Sequence, residues 1–274
     1  MADTHNQNGS AGFIGRRELL GWLAGGAVAI AGGRAMAGAS ATGGNGEDLE
    51  PRGAGKLHEL TRKLAAAPRR RSFDTVPMIL THESQWDSEA LNLLLDYKGG
   101  PKQVWDNTDL TSPWLNLMRN AANAQRWSFK NPDYIAVSAT HGPCHLALYD
   151  DFIWAKYKLA AFTGGKFHSN VFVSVPEKVA HADPADFNDP AGLFSPEANC
   201  IDLLQDRGIV FLACHNAIWE FTGALLAKGH NPEGLTHEQV AAELTNHLID
   251  GAVLTPGIVG TIPLLEAAGY RYTK

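Results

Sequence analysis

One short stretch, from Gly208 to Ala217, constrains the fold more than any other. Its apolar and small residues from Ile209 to Ala213 are typical of a parallel strand that is covered on both faces. Apolar positions then recur at helical spacing from Ala217 until Gly229. Cys214 is therefore expected where a strand ends and a helix begins, and free backbone N–H groups and the helix dipole favour a thiolate there. The alternative is a cysteine that only fills space beside a turn.

Strand-like and helix-like segments alternate along most of the chain. The pattern predicts strands at 77–80, 102–105, 134–139, 170–175, 209–213 and 252–254. It predicts helices at 56–67, 88–95, 113–126, 144–162, 197–207, 217–228, 236–249 and 259–268. We therefore expect an α/β fold, in which a parallel sheet of about five strands lies between helices in three layers, α/β/α.

The first residues have the pattern of an export signal. Arg16 and Arg17 precede a weakly apolar run at 19–31 and then small residues that suit signal cleavage, which is typical of a twin-arginine signal. The run is shorter than the roughly 20 residues that span a bilayer. We expect a signal at 1–41, a linker and amino-terminal extension at 42–99, and an α/β domain at 100–274. The mature protein would then be periplasmic or otherwise exported, with no membrane anchor.

Charge and cysteine content exclude several classes of protein. The formal net charge of -6 argues against nucleic acid and anionic membrane surfaces as partners. The basic cluster Arg69-Arg70-Arg71 is expected to be solvated in the linker. Cys144, Cys200 and Cys214 are too few for a disulfide framework, and their odd number leaves at least one thiol free or paired with another chain.

Several motifs resemble those of the DsrE family. The carboxyl half carries Phe211-Leu-Ala-Cys-His-Asn-Ala217, a small-residue turn at Pro256-Gly257 and the tail Gly269-Tyr-Arg-Tyr272. Residues 102–106 and 139–143 are similar to the family's first strand and to the turn after its second strand. The resemblance covers roughly residues 100–274. It implies a DsrE/YchN-like fold, a homo-oligomer (trimer or hexamer), and sulfane sulfur carried as a persulfide on Cys214, with another protein as sulfur donor or acceptor.

Two cysteine–histidine turns are expected at one edge of the sheet. The segment 141–145 follows the second strand of the domain, and 214–216 follows the strand at 209–213. Because parallel strands end at the same edge, we expect Cys144 and Cys214 to lie close enough to share a ligand. The candidate catalytic residues are Cys214, His215 and His141, and the candidate ligand-binding residues are Cys144, His145, Asn216, Gly142, Pro256 and Gly257.

Four interpretations of these residues stay open. The first is a persulfide carrier with Cys214 as nucleophile and His215 or His141 as base. The second is a redox pair of Cys144 and Cys214, and the third is a zinc or copper site formed by Cys144, His145, Cys214 and His215. The fourth is a periplasmic binding or assembly module without chemistry. The sequence does not separate this module from a sulfur carrier, because the same strand-to-helix geometry serves both.

Overall fold

The structure is a computed structural model that describes residues 49–274. The predicted export signal lies outside the described residues. The five strands are β1 (Lys102–Asn107), β2 (Ile135–Thr140), β3 (Val210–Cys214), β4 (Val253–Thr255) and β5 (Arg271–Thr273). They form one parallel sheet in the order β4-β3-β2-β1-β5. The predicted three-layer α/β fold is confirmed.

The described residues form eight α-helices. They are α1 (Gly55–Ala66), α2 (Ser88–Leu95), α3 (Trp114–Asn123), α4 (Asp151–Lys156), α5 (Ile201–Asp206), α6 (His215–Ala227), α7 (His237–Asn246) and α8 (Ile258–Ala267). None of the helices within 49–274 is long and apolar enough to cross a membrane. Shorter helical turns lie at Glu83–Gln85, Ala124–Ser128, Gly142–Leu148, Leu159–Phe162 and Pro196–Ala198.

The two faces of the sheet carry separate cores. Side chains of a strand alternate between faces, so Phe211 and Ala213 of β3 pack with α3, α4, α5 and α7, whereas Leu212 packs with α1, α2 and α8. We call these the α3 face and the α8 face. Helix α6 packs mainly on the α3 face, through Ile218 and Leu225. Helices α1 and α2 belong to the segment expected as linker and extension, yet they build the core of the α8 face.

Two predicted strands are wrong. Residues 170–175 form bends, because the carbonyls of Phe172 and Val173 accept hydrogen bonds from the first N–H groups of α5, at 2.8 and 3.1 Å. The Asn170 side chain also bonds the backbone of Ala147 and Tyr149 instead of leaving a strand free to pair. Residues 77–80 likewise form no strand, and cross the carboxyl edge of the sheet.

The long helix predicted at 144–162 is replaced by a 3₁₀ turn, the short helix α4 and a second 3₁₀ turn. A 3₁₀ turn at Gly142–Leu148 comes first, and α4 begins only after Asp150, whose carboxylate accepts the N–H of Ile153 at 2.9 Å. Between them Tyr149 makes a single antiparallel bridge with Leu248. The side-chain cap and the bridge therefore end one helical segment and start another, and a continuous helix does not form.

The connection between α1 and α2 runs along β4. We call this connection, residues 68–87, the strap. The N–H of Asp87 donates to the carbonyl of Leu254 at 3.1 Å, and the buried Asp87 carboxylate accepts the N–H of Leu254 at 2.7 Å. Arg69 and Arg71 both donate to the carbonyl of Ala252, and Arg71 also pairs with Asp87. The prediction that this basic cluster is solvated is therefore wrong for Arg69 and Arg71.

Candidate functional site

Cys214 lies where two helices leave neighbouring strands toward opposite faces of the sheet. It is the last residue of β3 and the residue before α6, as predicted. The next strand, β4, leads through Pro256 and Gly257 into α8. Since α6 packs mainly on the α3 face and α8 on the α8 face, the carboxyl ends of β3 and β4 form a topological switch point, where open α/β sheets bind ligands.

Three backbone N–H groups act on the thiol of Cys214. The N–H of Ile258, the first residue of α8, donates to Sγ at 3.4 Å. The N–H groups of Asn216 and Ala217, in the first turn of α6, also act on the thiol and lower its pKa. The amino termini of two helices therefore face one sulfur, an arrangement that stabilises negative charge.

Burial nevertheless raises the pKa of Cys214 above that of an ordinary thiol. The side chain is 4 % exposed, and desolvation of the thiolate outweighs the three N–H donors, which act in the opposite direction. The N–H donors at the helix terminus lower the pKa of Cys214, as expected. The pKa is nevertheless raised overall, so the expectation of a favoured thiolate is wrong. At neutral pH the resting group is a thiol.

His145 holds the backbone of Cys214 in place. Its Nε2 accepts the N–H of Cys214 at 3.0 Å, which requires a neutral ring with its proton on Nδ1. Complete burial lowers the pKa of His145 to about 3, helped by the nearby His141 and His215. This histidine is thus a fixed hydrogen-bond acceptor across the β2–β3 boundary, and it carries no charge.

His215 is buried and bonded to the strap. Its Nε2 lies 2.8 Å from the carbonyl of Pro77, so Nε2 carries the proton and Nδ1 is an unprotonated acceptor. Nδ1 has no hydrogen-bond partner among the residues that the structure describes. Burial lowers the pKa of His215, although the bonds to the backbone of Pro77 and Met78 act to raise it. The residue after Cys214 therefore offers a free lone pair.

His141 belongs to a second group of polar side chains near the carboxyl ends of β1, β2 and β5. Its Nε2 lies 2.7 Å from Oδ1 of Asp106, and the hydroxyl of Tyr272 donates to Oδ2 at 2.6 Å. Burial raises the pKa of Asp106, but the bonds to Tyr272 and His141 outweigh it, and the pKa falls below its ordinary value. Tyr272, whose pKa rises to about 12 beside this carboxylate, comes from the tail motif.

Cys144 does not join Cys214. The 3₁₀ turn after β2 buries Cys144 in the core of the α3 face, whereas the alternation of β3 puts Cys214 with Leu212 on the α8 face. All three cysteines are free thiols. No group of three or more His, Cys, Asp or Glu side chains within residues 49–274 is arranged to hold a metal ion. Within one chain, the predicted sharing of a metal or disulfide by Cys144 and Cys214 is therefore not seen.

A groove of about 470 Å³ opens beside the Cys214 turn. One wall comes from the strap and α2, through Ile79, Leu80, Trp86 and Leu91, and the opposite wall includes Leu264 of α8. Ile79 and Leu264 are 64 % and 52 % exposed, so the rim of the groove is apolar. The strap, which the sequence did not connect with the site, therefore supplies three of the ten residues that line the groove.

Three of the predicted ligand-binding residues line the groove. Asn216, Pro256 and Gly257 line it together with Gly260 and Thr261 of α8. The Asn216 amide lies against Gly257, where an added Cβ would meet Nδ2 at 2.7 Å. Cys214 itself does not line the groove, but Asn216 and Gly257 lie next to it in the chain or next to Ile258, whose N–H donates to its sulfur.

Sequence reasoning missed three contributors to the site. Ile258 acts through its backbone N–H, which no residue type reveals. Asp106 falls just beyond the strand predicted at 102–105, and extension of that strand to Asn107 would have placed it at the carboxyl edge. Tyr272 was noted only as part of the tail motif, although its strand pairs with β1.

No protein-family model, curated protein or solved structure matches this chain. The similarity to the DsrE family therefore remains a prediction from the motifs.

Proposed function

We propose that the protein carries sulfane sulfur as a persulfide on Cys214. The observation that carries the proposal is the bond from the Ile258 N–H to Sγ, with the N–H groups of Asn216 and Ala217 acting on the same thiol. A sulfur-bound anion needs such donors, because water is excluded from this position. The resemblance of the Cys214 turn and the tail to the DsrE family supports the same function.

The transfer requires no external oxidant. The sulfur of Cys214 attacks the outer sulfur of a persulfide R–S–SH, a new S–S bond forms, and the old S–S bond breaks. R–S⁻ leaves and takes up the proton lost by Cys214, so that Cys–SH and R–S–SH become Cys–S–SH and R–SH. We assign the transient acceptance of that proton to Nδ1 of His215, which is unprotonated and without a partner among the described residues.

The raised pKa of Cys214 suits a carrier. A protonated, buried thiol reacts slowly with oxidants, so the empty carrier is protected in an oxidising compartment. A persulfide is a stronger acid than its parent thiol, and the same three N–H donors then hold its anion. The loaded state gains more from the donors than the empty state does.

Intact mass spectrometry after incubation with polysulfide tests the proposal. We expect the wild-type protein to gain one sulfur atom that dithiothreitol removes, and Cys214→Ser to gain none. Cys144→Ser, a control of equal chemistry at the other turn, should load like the wild type. Equal loading of Cys214→Ser and wild type would overturn the assignment.

The groove favours a second function, a binding module without chemistry. Its apolar lining and its place at the switch point suit a ligand even if Cys214 never reacts. The two functions differ in the same experiment, because a binding module forms no sulfur adduct on either protein.

Assembly into a trimer or hexamer is part of the proposal. Large apolar side chains lie exposed away from the groove, such as Phe129 at 66 % and Val171 at 58 %. Light scattering of the protein at micromolar concentration measures the assembly, and a mass equal to that of one chain would count against it.

A further inference from the structure

The groove beside Cys214 has the dimensions of a small-molecule site. Its volume of about 470 Å³ falls inside the range of about 300–1,000 Å³ that is typical of ligand pockets. It lies at the switch point between β3 and β4, and its lining includes Asn216 in the first turn of α6 and Gly257 just before α8. Size and position both suit a small ligand that lies beside the Cys214 turn.

The chemistry of the walls selects the ligand. Ile79, Leu80, Trp86, Leu91 and Leu264 present carbon to the groove, and none of the described residues that line it is Lys, Arg, Asp, Glu or His. An organic group that carried a carboxylate or an ammonium would leave that charge between these walls, against carbon and without partners, at a large desolvation cost. An uncharged apolar group would instead gain free energy from burial there.

We infer that the groove binds the uncharged, apolar organic group of a persulfide R–S–SH and thereby delivers its outer sulfur to Cys214. The inference rests on the proposed function and names its substrate class. The polar end of the ligand faces Asn216 and Thr261, whose side chains can form hydrogen bonds. The apolar group R lies between Trp86 and Leu264. The atoms balance as in the transfer above, and R–SH leaves through the open rim.

Gly260 allows the groove to be filled without disturbing the fold. An added Cβ at this exposed position on α8 would meet no atom within 4 Å. Gly260→Phe therefore places an aromatic ring in the groove. Val259→Phe is the matched control, since Val259 is 71 % exposed on the same helix and does not line the groove.

The first test measures binding without sulfur chemistry. Saturation-transfer NMR with 1-hexanol and with 6-amino-1-hexanol compares a neutral and a charged organic group of equal chain length behind the same hydroxyl. We expect at least tenfold stronger binding of 1-hexanol to the wild type and to Val259→Phe, and loss of that binding in Gly260→Phe. Equal binding of the two ligands, or binding that Gly260→Phe does not reduce, would overturn the inference whether or not Cys214 carries sulfur.

The second test measures delivery to the thiol. Butyl methanethiosulfonate and its sulfonatoethyl analogue each place a disulfide on cysteine and release methanesulfinate, and they differ in the charge of the delivered group. Peptide mapping should show Cys214 labelled at least tenfold faster by the butyl reagent, with the preference absent in Gly260→Phe and intact in Val259→Phe. No preference in the wild type would overturn the inference.

The two proposals fail in different ways. Loss of sulfur loading from polysulfide at Cys214 would end the carrier function and leave hexanol binding unchanged. If Cys214 gains sulfur from polysulfide but shows no preference for the butyl reagent, the proposal of a sulfur carrier stands and the inference of an apolar substrate is wrong.

Discussion

The turns at Cys144 and Cys214 look alike in sequence and differ in structure. Each cysteine follows a buried strand and precedes a histidine. After β3 the chain enters an α-helix at once, and three N–H donors act on the thiol. After β2 the chain forms a 3₁₀ turn, and burial with a contribution from Asp109 raises the pKa of Cys144 well above its ordinary range. A strand followed by Cys-His is therefore insufficient to make an anion site, because the site also needs donors from a neighbouring helix.

The sharpest test of this comparison is the reactivity of the two thiols in the folded protein. We expect iodoacetamide to label Cys214 faster than Cys144, since Cys144 is fully buried and burial raises its pKa further. Because the pKa of Cys214 is itself raised, its rate should keep rising with pH beyond the ordinary thiol pKa of about 8.5. Site-resolved mass spectrometry measures both rates, and equal rates would remove the distinction.

The histidine that joins the two turns should contribute to stability. His145→Leu leaves the N–H of Cys214 buried without an acceptor, which should lower the free energy of unfolding by about 2 kcal/mol at pH 8. His168→Leu, at an exposed position, should change it little. Urea denaturation measures both, and an unchanged midpoint for His145→Leu would contradict the assigned bond.

The same histidine predicts a pH dependence. The pKa of His145 is about 3 in the folded protein and about 6.5 when unfolded, so the unfolded chain binds the extra proton between these values. Its contribution to stability is present above pH 6.5 and is lost as pH falls toward 3. The gap between wild type and His145→Leu should therefore narrow below pH 6.5, and a gap that widens there would contradict this assignment.

A smaller effect isolates one donor to Cys214. Proline lacks the N–H but suits the first position of a helix, and Gly257 before it is already extended. Ile258→Pro should therefore raise the pKa of Cys214 and slow its alkylation at pH 7.5 about tenfold, corresponding to about 1.4 kcal/mol. Ile258→Ala keeps the N–H and controls for lost packing. An equal effect of the two variants would show that the donor contributes nothing.

The smallest expected effect comes from substituting one glycine in each turn, Gly142 beside Cys144 and Gly257 beside the groove. Gly142 has φ of +54°, so Gly142→Ala should cost about 1 kcal/mol of unfolding free energy through backbone strain. Gly257 is extended, and an added Cβ would only displace the flexible Asn216 amide. Gly257→Ala should therefore alter ligand binding in the groove more than stability. Urea denaturation and hexanol titration of both variants check the contrast.

The spacing of apolar residues predicted the α/β fold of this molecule and the position of Cys214 between a strand and a helix. The apolar run at 209–213 and the helical repeat after it fixed β3 and α6 because local pattern and tertiary burial agree there. They disagree at 170–175, where the apolar residues look like a strand but their carbonyls cap α5. The strand β5 was missed because it has three residues, two of which are exposed.

The site itself was less predictable from the sequence than the fold. The alternation of β3 decides which face receives Cys214, and that alone separates it from Cys144. The net effect of burial on its pKa depends on how the surrounding elements pack, which residue spacing does not encode. The strap could not be connected with the groove, because its contact with β4 depends on Asp87 and on carbonyls of the distant residues Ala252 and Leu254.

The strap also changes how this sheet can meet other chains. An outer strand such as β4 normally presents unpaired backbone groups on which a foreign strand can assemble. Here the N–H and carbonyl of Leu254 are bonded to Asp87, and the carbonyl of Ala252 is bonded to Arg69 and Arg71. The strap therefore protects this border of the sheet against edge-to-edge aggregation.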